Sequence, residues 1–73
     1  MTTLPHVSGR ECVAALLKIG FQFKRQNGSH MILRREQLVA QTVVPDHKTL
    51  DRGTLRSILR QAEISTEEFI TLL

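Results

Sequence analysis

The sequence predicts an α+β fold, a two-layer sandwich in the order α-β-β-β-α(-α), on three observations. A capping box at Ser8 opens an amphipathic helix, three short segments after Gly20 have strand character, and a second amphipathic helix follows a proline at position 45. Two long helices and a three-stranded antiparallel meander suffice for two layers around one core. With 73 residues the chain has room for a single domain spanning residues 1–73, close to the size at which one hydrophobic core is only just sufficient.

In the first helix, the Ser8 side chain can accept from the Glu11 amide while Glu11 reaches back to the Ser8 amide. Val13, Leu16 and Leu17 follow at helical spacing, Lys18 is expected in the last turn, and Gly20 stands where a left-handed C-cap is wanted. Phe21 and Phe23 then alternate with Gln22 and Lys24, the period of a half-buried strand. Gly28-Ser29-His30-Met31 has the letters that a cleaved expression tag leaves behind. Tags do not carry a capped amphipathic helix, so residues 1–27 read as native and His30 as part of the protein.

Asn27-Gly28 signals a tight hairpin turn. A two-residue loop there would set Arg25 opposite His30 and Phe23 opposite Ile32, and a three- or four-residue loop would shift that pairing. The second strand is expected over residues 29–34 and the third over 38–44, ending at Pro45. A second helix beginning near Asp51 should bury Leu55, Ile58, Leu59 and Ala62 and carry Arg52, Arg56 and Arg60 on another face, at the i, i+4, i+8 spacing of a basic stripe. Ser65-Thr66-Glu67-Glu68 is a second capping box, with Ile64 and Phe69 as its hydrophobic staple. It predicts a short last helix packed through Phe69, Ile70 and Leu73.

The charge is informative in its distribution. Lys18, Lys24, Arg25, Arg34 and Arg35 fall in a window without a single acid, whereas Glu63, Glu67 and Glu68 gather near the C-terminus. A polyanion is the natural partner of the basic side. No apolar run approaches the roughly 20 residues of a membrane span, and residues 1–7 have neither a basic start nor an apolar stretch, so a cytoplasmic location without a membrane partner is expected. The lone Cys12 reads as a small buried hydrophobe. No cluster of carboxylates, cysteines or closely spaced histidines offers a metal site, so neither metal nor other cofactor is expected.

An ordered set of short motifs resembles the HicA-type toxins of bacterial toxin–antitoxin pairs. They are Ser8-Gly9 with the Leu-rich helix running into Gly20-Phe21, Gly28-Ser29-His30, Val44-Pro45 with His47, Gly53-Thr54-Leu55 leading to Ile58-Leu59, and the ending from Ile64-Ser65 to Phe69. The resemblance covers nearly the whole chain and implies a fold like the double-stranded-RNA-binding domain. It also implies a small ribonuclease that cuts mRNA, and a cognate HicB-type antitoxin covering the active face. The catalytic histidine of that family falls on His30. The chain departs from many members at Leu33, where they carry an aromatic residue, and this is expected to alter packing beneath the strand more than chemistry.

The residues fit that chemistry. Cleaving RNA takes a proton from a 2′-hydroxyl as it attacks its own phosphate and gives one to the departing 5′-oxygen, and an imidazole can do either near neutrality. Lys24, Arg25 and Arg34 are the cations expected to stabilise the extra phosphate charge, with Ser29, Arg52 and Arg56 as further RNA contacts. His47 is a second imidazole that could carry a proton, or one that orders the strand-to-helix connection through hydrogen bonds.

Two other functions compete. A non-catalytic RNA-binding module would grip phosphates and 2′-hydroxyls without cutting. Lacking Trp and Tyr, with three Phe at expected core positions, the chain offers no platform for stacking single-stranded bases. A DNA-binding helix-turn-helix is suggested by the turn Glu63-Ile64-Ser65. Its reading helix would carry Glu67 and Glu68, which repel phosphate, so specific DNA binding by this chain is not expected.

Overall fold

The computed structural model describes residues 3–73. Its elements are α1 (Gly9–Leu17), β1 (Gln22–Asn27), β2 (His30–Arg35), β3 (Ala40–Pro45), α2 (Arg52–Ala62) and α3 (Thr66–Thr71). The strands form one antiparallel sheet in the order β1-β2-β3, so the chain has the expected α+β architecture. On β2 and β3 the buried residues alternate: Met31, Leu33, Ala40, Thr42 and Val44 point inward. They form one core with Cys12, Val13, Ala15 and Leu16 of α1, with Leu55, Ile58, Leu59 and Ala62 of α2, and with Phe69. Both long helices therefore cover one face of the sheet and leave the other open. Among the described residues no helix is long and apolar enough to cross a membrane.

Helix α1 begins as its capping box requires, with the Glu11 amide donating to Ser8 Oγ at 3.0 Å and the Ser8 amide to Glu11 Oε1 at 2.9 Å. It ends in the Schellman pattern, Phe21 N–H to the Leu16 carbonyl and Gly20 N–H to that of Leu17, with Gly20 at φ +96°. Lys18 is the C-cap and not part of the last turn, and its Nζ donates to the Leu72 carbonyl at 2.7 Å. Leu17 is turned away from the buried side and is half exposed. Cys12 is fully buried, which pushes its thiol pKa up to about 12 and makes it inert at neutral pH. Helix α2 buries the four expected residues, and Thr42 satisfies its buried hydroxyl by donating to Gln61 Oε1 at 2.7 Å.

Four further expectations change. The hairpin loop is Gly28-Ser29, not Asn27-Gly28: Asn27 pairs with His30, Gln26 with Met31 and Arg25 with Ile32. Only Gly28 takes a positive φ there, +62°, which matches the turn type that wants Gly first. A β-bulge between Phe23 and Arg25 then sets Phe23 opposite Leu33. Phe23 keeps to the inner side and lines a shallow groove with Arg10 and Val13 of α1, but α1 covers edge strand β1 only in part: its six residues are all exposed, and Phe23, 45% exposed, is no core residue. The third strand starts at Ala40 because residues 36–39 make the turn, with Leu38 at φ +55° and its carbonyl accepting from Arg35 Nε at 2.9 Å. In α3, Phe69 and Leu72 face the core while Ile70 and Leu73 are exposed.

Candidate active site

Because Met31 and Leu33 point inward, His30, Ile32 and Arg34 stand on the open face of the sheet. Leu33, the departure from the resemblance, is fully buried on the side away from His30. Across β3 the open face continues with Pro45, Val43 and Gln41, and across β1 with Asn27, Arg25 and Gln22. The bulge adds Lys24 to this set, since its Nζ donates to Gln22 Oε1 at 3.0 Å. Lys24 and Arg34 converge on Glu36, at 3.6 and 3.2 Å, so an acid just outside the acid-free window holds two of its cations. The Arg25 side chain is exposed and makes no hydrogen bond or ion pair among the described residues, and the same is true of the His30 imidazole. Ile32, partly buried, faces Val43, 41% exposed, as an apolar pair beside these charges.

His30 lies at the end of the sheet where three motifs meet. The Gly9 amide donates to the His47 carbonyl at 2.9 Å, and a Cβ at Gly9 would collide with the Pro45 carbonyl, so only glycine lets α1 start this close to β3. His30 pairs with Pro45. The next rung is the Asp46 amide donating to the Ser29 carbonyl at 2.6 Å. That pattern makes His30 and Pro45 a non-hydrogen-bonded pair, in which side chains approach more closely, and it leaves Pro45 without a ladder bond to donate.

Asp46, Arg10 and Gln26 carry the rest of this corner, and the sequence reading passed over all three. Arg10 Nε and Nη2 donate to the two carboxylate oxygens of Asp46, each at 3.1 Å. Gln26 Nε2 donates to Asp46 Oδ2 and to the Gly28 carbonyl, both at 3.1 Å. Hydrogen bonds from Arg10 and then Gln26, with the charges of Arg10 and His47, hold the Asp46 carboxyl below the usual range despite some desolvation. Asp46 lies between Pro45 and His47 of a stretch already singled out, but partners 36 and 20 residues away leave no periodic signal.

His47 is exposed, and its role here is through the backbone: its amide donates to the Pro45 carbonyl at 2.9 Å and its carbonyl receives Gly9. Its charge also contributes to lowering the Asp51 carboxyl, after the larger effect of hydrogen bonds from Thr54. Ser29 is exposed and contributes its carbonyl to Asp46. Arg52, Arg56 and Arg60 are all exposed, but they belong to the helix layer and not to the open sheet face. The 46–51 connection, with the Leu50 amide donating to the Val7 carbonyl, starts α2 near the His30 end of β3, and the Thr42–Gln61 bond sets its last turn beside the middle of that strand, so Arg52 stands nearer the His30 end and Arg60 about 12 Å further along the helix at 1.5 Å per residue. The geometry thus sets His30, Lys24, Arg25 and Arg34 on one face, apart from the stripe, with Arg25 one rung from the His30 pair and the Lys24–Arg34–Glu36 group roughly 13 Å along the strand from His30 at 3.3 Å per residue.

Among the described residues no group of three His, Cys, Asp or Glu side chains is gathered to hold a metal ion. A surface groove of about 460 Å³ lies between the 36–39 turn and the α2–α3 junction, lined by Ile19, Arg35, Leu38 and Ile64, away from His30. No curated protein matches the chain. The profile of the HicA toxins of bacterial toxin–antitoxin systems matches residues 9–64, running from the glycine that lets α1 approach β3, through the His30 turn, to the end of α2. That match spans all three motifs meeting at His30 and most of the chain, and the protein belongs to the HicA toxin family.

Proposed function

We propose that this toxin is a metal-independent endoribonuclease that cleaves mRNA and so inhibits translation, with His30 as its general acid or base. The observation that carries the reading is the setting of His30. It is an exposed imidazole with no hydrogen bond among the described residues, on an open face shared with Lys24, Arg25 and Arg34. RNA laid on that face would bring a phosphate to the cations and a 2′-hydroxyl or 5′-oxygen to the imidazole. One positioned acid or base contributes roughly 10²- to 10⁴-fold, so the enzyme is a modest nuclease unless the cations add transition-state stabilisation. Arg52 and Arg56 would hold RNA that wraps past the corner, by phosphate contacts that do not read sequence. The antitoxin implied by the family is of the HicB type. A surface with RNA-like negative charge would suit it to cover this face.

A second reading, an RNA-binding module that does not cut, draws on the α2 arginines, which make no ion pair among the described residues. Cleavage of RNA by the folded protein, with His30→Ala and His47→Ala made alongside, decides between them. Replacing His30 should lower the cleavage rate at least about 10²-fold and abolish toxicity. Cleavage lost only with His47 would move the role to that residue. RNA bound but never cut by the wild type would make the module reading correct. Activity that vanishes in a chelator and returns with magnesium would overturn metal independence.

A further inference from the structure

The hairpin tip that carries His30 needs an anchor. Strand β1 is an edge strand with all six residues exposed, held in the sheet on one side only, by β2. The tip that joins them, Gly28-Ser29, lies outside both strands and would fray without further attachment. One residue supplies attachments on both sides. From β3, the Asp46 amide closes the ladder one rung beyond His30, onto the Ser29 carbonyl. From its side chain, the carboxylate takes one hydrogen of the Gln26 amide whose nitrogen also serves the Gly28 carbonyl. The fork of Arg10, in the first turn of α1, fixes the orientation of that carboxylate with two charge-assisted bonds.

We propose that Asp46 is the positioning residue for His30: it locks the Gly28-Ser29 turn to the start of α1, so that the imidazole keeps one placement on the sheet face. The inference rests on His30 being the proton carrier, and it assigns Asp46 no contact with RNA. Arg10 is thereby a structural cation, held by Asp46 and not offered to phosphate, and Gln26 is the link that passes the restraint to the turn. Misplacement of a reacting group by about 1 Å costs on the order of 10²-fold in rate. Losing the lock should accordingly lower turnover while leaving the affinity for RNA, set by other cations, in place.

The test uses Asp46→Ala and Asp46→Asn on the full chain, the second keeping the shape and one acceptor oxygen so that folding is retained. Backbone ¹⁵N relaxation should show the Ser29 and His30 amides rigid in the wild type, with order parameters of about 0.85, and mobile in Asp46→Ala, below about 0.6. The amides of α2 should not change. Turnover should fall about tenfold or more with KM within about twofold, and Asp46→Asn should recover part of both losses. Gln26→Leu should loosen the same amides while leaving the Arg10–Asp46 pair formed. Turn amides as rigid in Asp46→Ala as in the wild type would overturn the proposal, as would mobile amides with undiminished turnover. If the wild type cuts no RNA, the catalytic reading fails by itself, and relaxation alone decides whether Asp46 holds the turn.

Discussion

The open face of the sheet and the exposed side of α2 both present basic residues, but they are built differently. On the sheet, two of the cations are held by Glu36, and the one imidazole stands in a corner fixed by glycine contact, ladder and side-chain bonds. On α2, the side chains of Arg52, Arg56 and Arg60 make no ion pair or hydrogen bond among the described residues and are spaced along the helix. The first surface spends charge on geometry, and the second leaves charge free. General acid–base chemistry needs the first, whereas grip on phosphates needs only the second. The proposed division of labour is therefore that the sheet corner cuts and the helix holds.

The comparison breaks most severely at Gly9. Gly9→Ala forces a methyl into the Pro45 carbonyl, and because backbone must move, stability should fall by about 1–3 kcal/mol in a denaturant titration. The protein that remains folded should cut poorly yet bind RNA almost as well. Undiminished stability would mean that α1 can shift off β3 freely. The stripe comes next. Arg52, Arg56 and Arg60 changed together to Gln should weaken binding about equally for all RNA sequences and lower the salt slope by about 1 per arginine lost. Unchanged binding would reduce the stripe to a solvated face.

Glu36→Gln sharpens the contrast from the other side. It releases Lys24 and Arg34, raising RNA affinity by no more than about fivefold, the order of a surface ion pair's 0–1 kcal/mol. The melting temperature should hardly move. A loss of affinity would show that Glu36 orients those cations for RNA. The smallest effect is that of acid. The Asp46 and Asp51 carboxyls titrate below their ordinary value of about 3.9, so the stability they contribute is complete above that value and is lost as pH falls through the lowered ones. Thermal stability should be flat in these two groups from pH 7 to 5 and decline below 4. Asp46→Asn should flatten part of that decline.

Local chemistry made most of the fold legible. Both capping boxes join residues three apart, Gly20 ends α1 by bonds within six residues, and the buried face of α2 repeats within two turns. What the sequence hid depends on distant partners. Asn27-Gly28 favours one turn and Gly28-Ser29 another, and the two registers differ by two residues, so both keep Met31 and Leu33 on the buried face and strand alternation could not choose between them. Phe23 alternates like a core residue, but α1 covers edge strand β1 too little to bury it. Leu38 and Val39 have strand character, yet the connection from β2 to β3 needed a residue at positive φ and Leu38 took it. His30 was visible through its motif. Asp46 was not, since its meaning lies in Arg10, Gln26 and Ser29, which only the fold brings to it.

The division of labour is tested most directly by measuring RNA affinity and cleavage at saturating RNA for two folded variants together, His30→Ala and the triple arginine-to-glutamine change. His30→Ala should lose at least about 10² in turnover while its Kd stays within about threefold. The arginine variant should bind several-fold more weakly, most visibly at higher salt, and cut at near wild-type rate once saturated. If the arginine variant stays slow at saturation, or if His30→Ala loses affinity in step with rate, cutting and holding are not separate, and the account of two surfaces is wrong.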